Sequence, residues 1–234
     1  MKIFLIFGAV LNAISLVGLS LYAAIAIPTF SMWFYRWQYS VNNTYQLVQM
    51  EEEDLHKVTR HLIRYLQGRE AELQIETIVD GQARNFFSDI EIRHMEDVRE
   101  MFRIGHILTF TALGIFILSL ILFAIWGRKK FKVLFKAWQG AAIVILLLML
   151  AAGIWLAIDW FGIFYWFHEV FFHNDYWILN PQTDLLINIV PYEFFITITI
   201  FISATFLAFI VKMFTLATLF RWRMRRAERL KSKN

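Results

Sequence analysis

Apolar residues along this chain gather into four long stretches, about residues 3–27, 104–126, 137–160 and 191–220, and polar residues gather between them. Each stretch reaches the roughly 20 residues that an α-helix needs to cross a hydrocarbon layer. The pattern predicts an all-α integral membrane protein with four transmembrane helices in one membrane domain. The first stretch has no charge from Ile3 to Ile27, which is longer than the ~7–15-residue apolar region of a signal peptide. Lys2 precedes it and Ala24-Ile25-Ala26 loosely mimics a cleavage site, but the length favours an uncleaved anchor. In the fourth, Pro191 suits a first helical position, Glu193 falls in the first turn, and Lys212 can snorkel toward water.

The segment 31–103 between the first two spans has its own periodicity. Leu55, Val58, Leu62 and Tyr65 recur at helical spacing, and Gly68 suits a C-terminal stop. Acidic residues from Glu51 to Asp54 begin this amphipathic helix, where they suit its dipole. Leu73, Ile75, Thr77 and Val79 then alternate, and Asp80-Gly81 follows, which predicts a small β-hairpin pairing 73–79 with 82–87. Ser88 and Glu91 form a capping-box pattern, flanked by Phe87 and Ile92 as a hydrophobic staple. No breaker separates that cap from the second span, so one helix is predicted from about Asp89 to Trp126, its first four turns standing above the membrane.

Charge sets the orientation. Arg128, Lys129, Lys130, Lys132 and Lys136 crowd the connection 127–136 with no acid among them. The tail 221–234 carries Arg221, Arg223, Arg225, Arg226, Arg229, Lys231 and Lys233 against Glu228 alone. The positive-inside rule places both on the cytoplasmic side, with both termini. Segments 31–103 and 159–190 are then extracellular, and the aromatics Trp33 to Trp37 and Phe161 to Phe167 read as an outer interfacial belt. A multi-pass plasma-membrane protein follows. With 59% hydrophobic residues and mean hydropathy +0.52, composition agrees. The formal charge of +4 is explained by these topology clusters, so no nucleic-acid partner is expected. The absence of cysteine excludes disulfides, thiolate metal sites and a thioester intermediate.

Chemistry near neutral pH falls to six histidines. His56 and His61 lie five apart on different faces of the amphipathic helix and suit a packed or solvated surface. His106, near the outer end of the second span, is open to a structural or a functional reading. His94 has Asp97 one turn on, a spacing that allows the carboxylate to orient the ring, and Arg93 beside it; a plain charged surface has the same spacing. His168 sits in an aromatic run, where burial would keep an unpaired imidazole neutral and basic, or where it could simply bond a carbonyl. His168-Glu169 with His173 misses the i, i+4 spacing of a zinc helix, so no metal is expected. No GxSxG motif points to a serine hydrolase. Asp159, at the outer end of the third span, is either a functional carboxylate or a headgroup-level charge.

Two blocks carry a family resemblance. One is Glu91-Ile92-Arg93-His94-Met95-Glu96-Asp97-Val98. The other is Phe167-His168-Glu169-Val170-Phe171-Phe172, followed by Asn174, Trp177, Asp184-Leu185-Leu186 and Pro191 with Phe194-Phe195. Together they resemble the lipoprotein intramolecular transacylase family, Lit, small polytopic membrane proteins found mainly in low-GC Gram-positive bacteria. The resemblance implies transfer of the sn-2 acyl chain of a lipoprotein's diacylglyceryl-cysteine to the cysteine α-amine, giving the lyso-form. It maps the essential histidines onto His94 and His168. Arg93, Asp97, Asn174, Asp175, Trp177 and Asp159 are candidates to support the site or bind substrate. No cofactor is required, the partners are a diacylated lipoprotein and membrane lipid, and a monomer is favoured. A lipase or intermolecular acyltransferase sharing the histidines, and a non-catalytic membrane subunit, are the alternatives.

Overall fold

The computed structural model describes residues 2–127 and 130–231. Arg128, Lys129 and Lys233 of the charge argument lie outside the described residues. Helices in chain order are α1 (Lys2–Thr29), α2 (Met32–Val41), α3 (Thr44–Leu47), α4 (Glu52–Leu66), α5 (Asp89–Trp126), α6 (Phe131–Ile158), α7 (Trp160–Phe171), α8 (Leu186–Ile189) and α9 (Tyr192–Lys231). The antiparallel strands β1 (Glu76–Val79) and β2 (Gln82–Asn85) fall between α4 and α5. α1, α5, α6 and α9 are long and apolar enough to cross a membrane. The chain is an all-α integral membrane protein with a small two-stranded sheet.

The expected elements formed, with boundaries that differ for physical reasons. The hairpin is shorter than 73–79 with 82–87, and its turn has Asp80 and Gly81 both at positive φ (50° and 71°), the conformation a two-residue type I′ turn demands. α5 does run unbroken from Asp89 to Trp126. The third apolar stretch does not continue to residue 160 as one helix: α6 ends at Ile158 and α7 starts anew at Trp160. Pro191 stands just before α9 rather than in its first turn, and α9 runs far past residue 220. Segments read as loops hold α2, α3, α7 and α8: α2 and α7 are ring-rich and lack clean periodicity, and α3 and α8 are only four residues each.

The described residues divide into two compact units. The first takes in residues up to 24, 107–158 and those from 203 onward. Asn12 of α1 is fully buried there: its Nδ2 donates to Ser119 Oγ (2.7 Å) and Phe116 O (3.1 Å), and its Oδ1 accepts from Trp138 Nε1 (2.8 Å). One amide thus ties α1, α5 and α6 where no water competes for the bonds. Leu5, Ala9, Phe123 and Leu134 pack beside it. Gln139 bonds Thr218, and Phe135 stacks on Phe220 at 5.0 Å, which joins α6 to α9.

The second unit comprises 25–106 and 159–202. Its core collects Phe34, Tyr35 and Tyr39 of α2, the Leu55, Val58, Leu62 and Tyr65 stripe of α4, Phe86 and Phe87 after the hairpin, Met95 of α5, and Ile189 and Phe194. Tyr39 Oη is satisfied at Thr59 Oγ1 (2.9 Å). The capping box formed: Ser88 N donates to Glu91 Oε2 (2.6 Å), and Ser88 Oγ accepts from Glu91 N (3.5 Å).

Candidate active site

Both histidines of the sequence blocks lie in the second unit. His94 is on the second turn of α5, and His168 is near the end of α7. α7 owes its start to Asp159, whose Oδ1 accepts from Gly162 N at 2.8 Å. Position 162 must be glycine for this cap, since a Cβ there would lie 2.1 Å from Asp159 Oδ2. Asp159 therefore caps the helix that carries His168.

The rings of His94 and His168 approach to 6.3 Å between centroids, tilted by 34°. Around them stand Phe164 (4.3 Å from His168), Trp177 (4.8 Å, stacked on His168) and Phe172, whose ring meets His94 at 5.2 Å and His168 at 5.6 Å. His168 Nδ1 lies 2.7 Å from Phe164 O. A carbonyl only accepts, so in the neutral ring Nδ1 carries the hydrogen and Nε2 keeps the lone pair. His94 Nδ1 is buried without a hydrogen-bond partner.

Both imidazoles are held neutral. Burial, with repulsion from His168 added and the Asp97 charge opposing, pushes His94 down to about 4. His168 is also lowered, chiefly by burial among rings that cannot solvate a cation, against the Phe164 carbonyl bond.

A seam of polar contacts joins α5 to the segment after α7. Asp97 Oδ2 accepts from Asn174 Nδ2 at 2.9 Å, so the carboxylate holds the loop rather than the His94 ring. Asn174 Oδ1 accepts from Tyr176 N (3.1 Å), and Tyr176 Oη accepts from Arg93 Nη1 (3.2 Å). Farther along, Leu186 N donates to Glu91 Oε1 (2.5 Å) and Ser88 Oγ donates to Asp184 Oδ1 (3.1 Å). Glu91 is almost wholly buried, and burial raises its pKa against the pull of these donors. Asp175 is exposed and contributes only its carbonyl, to Ile178 N. Of the sequence candidates, His94, His168, Arg93, Asp97, Asn174 and Trp177 come together, while Asp159 acts one helix length away and Asp175 faces out. Tyr176, Phe172 and the Glu91–Leu186 bond were missed. Glu91 stood in the motif but looked like a cap and nothing more, and no local signal marks Tyr176. Among the described residues no three of His, Asp and Glu gather as a metal site.

The fold and the paired rings define a polytopic membrane protein with a histidine pair, His168 buried and His94 half-buried, at the junction of two helices. The sequence profile of the lipoprotein intramolecular transacylase Lit family matches residues 10–195, and the chain belongs to that family. No curated protein matches. Among solved structures, the chain resembles the membrane-integral lipoprotein intramolecular transacylase Lit from Bacillus cereus, with TM-score 0.78 and 19% identity over 97% of this chain and 100% of that one. Two variants of the Bacillus cereus protein, with a histidine replaced by arginine or by alanine, match at TM-scores 0.73 and 0.71 with 18% and 19% identity. The first covers 94% of this chain and 93% of its own, the second 94% of each. Likeness at this identity establishes the shared fold.

Proposed function

We propose that the chain moves the sn-2 acyl chain of a lipoprotein's diacylglyceryl-cysteine to the α-amine of the same cysteine, at the extracellular face of the plasma membrane. The observation that carries this reading is the neutral His94–His168 pair, with its Nε2 lone pair on His168. The nucleophile is an amine with an ordinary pKa near 8, so it arrives mostly as ammonium and must lose a proton. His168 Nε2 takes that proton. The free amine attacks the sn-2 ester carbonyl, and an N–C bond forms as the carbonyl electrons move to oxygen. When the tetrahedral centre collapses, the C–O bond to glycerol breaks. The first proton passes on from His168 to water. After attack the nitrogen gives up its second proton to the histidine pair, and the leaving oxygen receives one through His94. Of the two protons the nitrogen loses, one ends on the glycerol hydroxyl and one in water.

Each part of the site suits one demand of that sequence. A neutral imidazole accepts a proton near pH 7, and such assistance is commonly worth about 10²–10⁴ in rate. Arg93 and the second amide hydrogen of Asn174 are donors for the oxyanion. Donor ester and acceptor amine share one molecule, so positioning supplies much of the rate. The exposed Phe161, Tyr165, Trp166 and Phe171 of α7 offer an apolar face to hydrocarbon chains. The basic residues of the 127–136 connection and the tail support cytoplasmic termini. No cofactor takes part, and a monomer suffices.

The test is mass spectrometry of a diacylated lipopeptide incubated with the reconstituted protein. The expected product keeps both acyl chains, one now on nitrogen. Release of free fatty acid with a free amine would overturn the reading in favour of a lipase. His94→Ala and His168→Ala are each expected to lower turnover about 10²–10⁴-fold while the protein keeps its elution profile in detergent.

A further inference from the structure

Resting on that reading, we infer that the cavity along the first turns of α5 is the berth of the substrate's polypeptide, and that it selects against acidic residues just after the lipidated cysteine. The cavity holds about 500 Å³ and is lined by Asp89, Ile92, Arg93, Glu96, Asp97 and Tyr176.

The connectivity of the substrate makes the assignment. The reacting amine and the peptide carbonyl hang on the same cysteine Cα. Once the amine reaches the histidines, the polypeptide must leave through space directly beside them. It cannot leave among Phe164, Phe172 and Trp177, because peptide groups buried against rings would lose their hydrogen bonds at a cost of a few kcal/mol each. The cavity shares Arg93, the neighbour of His94, and Asp97, one turn beyond it. Its α5 lining falls at 89, 92, 93, 96 and 97, a single helical stripe. The eight residue steps from 89 to 97, at ~1.5 Å each, give a track about 12 Å long, which matches about four residues of extended chain at ~3.3 Å each. Arg93, steadied by its bond to Tyr176 Oη and with its guanidinium 5.5 Å from that ring centroid, presents donors to peptide carbonyls. The Asp97 carboxylate is oriented by Asn174 and adjoins the place where the ammonium arrives.

The charge balance sets the preference. Three carboxylates face one guanidinium along the track, which disfavours glutamate or aspartate in the bound segment and equally argues against a phosphate headgroup as occupant. A neighbouring cavity, about 560 Å³ and lined by Tyr65, Arg99, Glu100, Arg103 and His106 among others, shares only Glu96 with this one. It includes none of the residues that bond across to the His168 loop.

Diacylated lipopeptides carrying serine, lysine or glutamate at the three positions after cysteine, assayed in neutral-lipid vesicles, test the inference. The wild type is expected to show kcat/KM about tenfold lower for the glutamate peptide than for the lysine peptide, mostly through KM, with the ratio shrinking as salt rises. An Asp89→Asn/Glu96→Lys variant, altered only at exposed positions, is expected to erase or invert the ratio. Equal kcat/KM for all three peptides, or a ratio the double variant leaves unchanged, would overturn the inference. If no peptide gives N-acylated product, the fault lies in the proposed reaction itself, so the two failures are distinguishable.

Discussion

Asn174 donates its amide to the Asp97 carboxylate at 2.9 Å and thereby bonds the loop six residues after His168 to the helix turn after His94. This contact crosses 77 positions of sequence and lies within a turn or two of both rings. Its removal should act on catalysis more than on folding, because a misplacement of about 1 Å between reacting groups can cost 10²-fold. Asn174→Ala is expected to lower kcat about 10–100-fold with KM changed less than threefold. Asn174→Asp, which sets a second carboxylate against Asp97, is expected to be at least as severe. Steady-state kinetics on a lipopeptide check both.

The depressed histidines make a prediction about pH. With His94 near 4 and His168 also lowered, the pair stays neutral where an ordinary imidazole would already be charged. The acid limb of kcat/KM is therefore expected to lie below pH 6. Stability has a matching sign. The unfolded chain takes up protons from about pH 6.5 downward while folded His94 does not, so its contribution is present above that value and is lost as pH falls toward 4. Between pH 7 and 5 the loss is about 2 kcal/mol. Thermal unfolding in detergent at the two pH values measures it, and His94→Gln should flatten the decline.

Glu91 is buried with backbone donors on both oxygens and, among the described residues, no ion-pair partner. Its replacement by alanine strands Ser88 N and Leu186 N. The expected loss is about 2–4 kcal/mol, seen as a lowered Tm in detergent. Glu91→Gln keeps one acceptor and is expected to lose roughly half as much.

Asn12 belongs to the other unit and should behave differently. Asn12→Leu removes three interhelical hydrogen bonds, each worth about 0.6 kcal/mol within a membrane. A fall of a few degrees in Tm with unchanged kcat is expected, read from thermal scans and from turnover on the same preparation.

Much of the architecture is legible in the sequence, because its causes are local. A span announces itself by twenty uncharged residues, since backbone polar groups in hydrocarbon must bond within their own segment. The unbroken α5 followed from the Ser88–Glu91 cap and the lack of any breaker after it. The β-turn followed from Asp80-Gly81, a pair suited to positive φ. The break between α6 and α7 was hidden, because both sides of Asp159 are apolar and the Asp159–Gly162 cap is a matter of two positions within one hydrophobic run.

The site divides in the same way. Sequence by itself determined that His94 lies on a helix with Asp97 on its face and Arg93 adjacent in the chain, and that His168 sits among aromatic residues that disfavour its charge. Only the tertiary structure decided that these rings meet, that Asp97 holds Asn174 instead of His94, and that Glu91 reaches the backbone of Leu186, 95 positions away. Hydrophobic periodicity records which face of a helix is buried but not what buries it. Partners across the seam are chosen by packing that forms only when α5 meets α8 and the loop after α7.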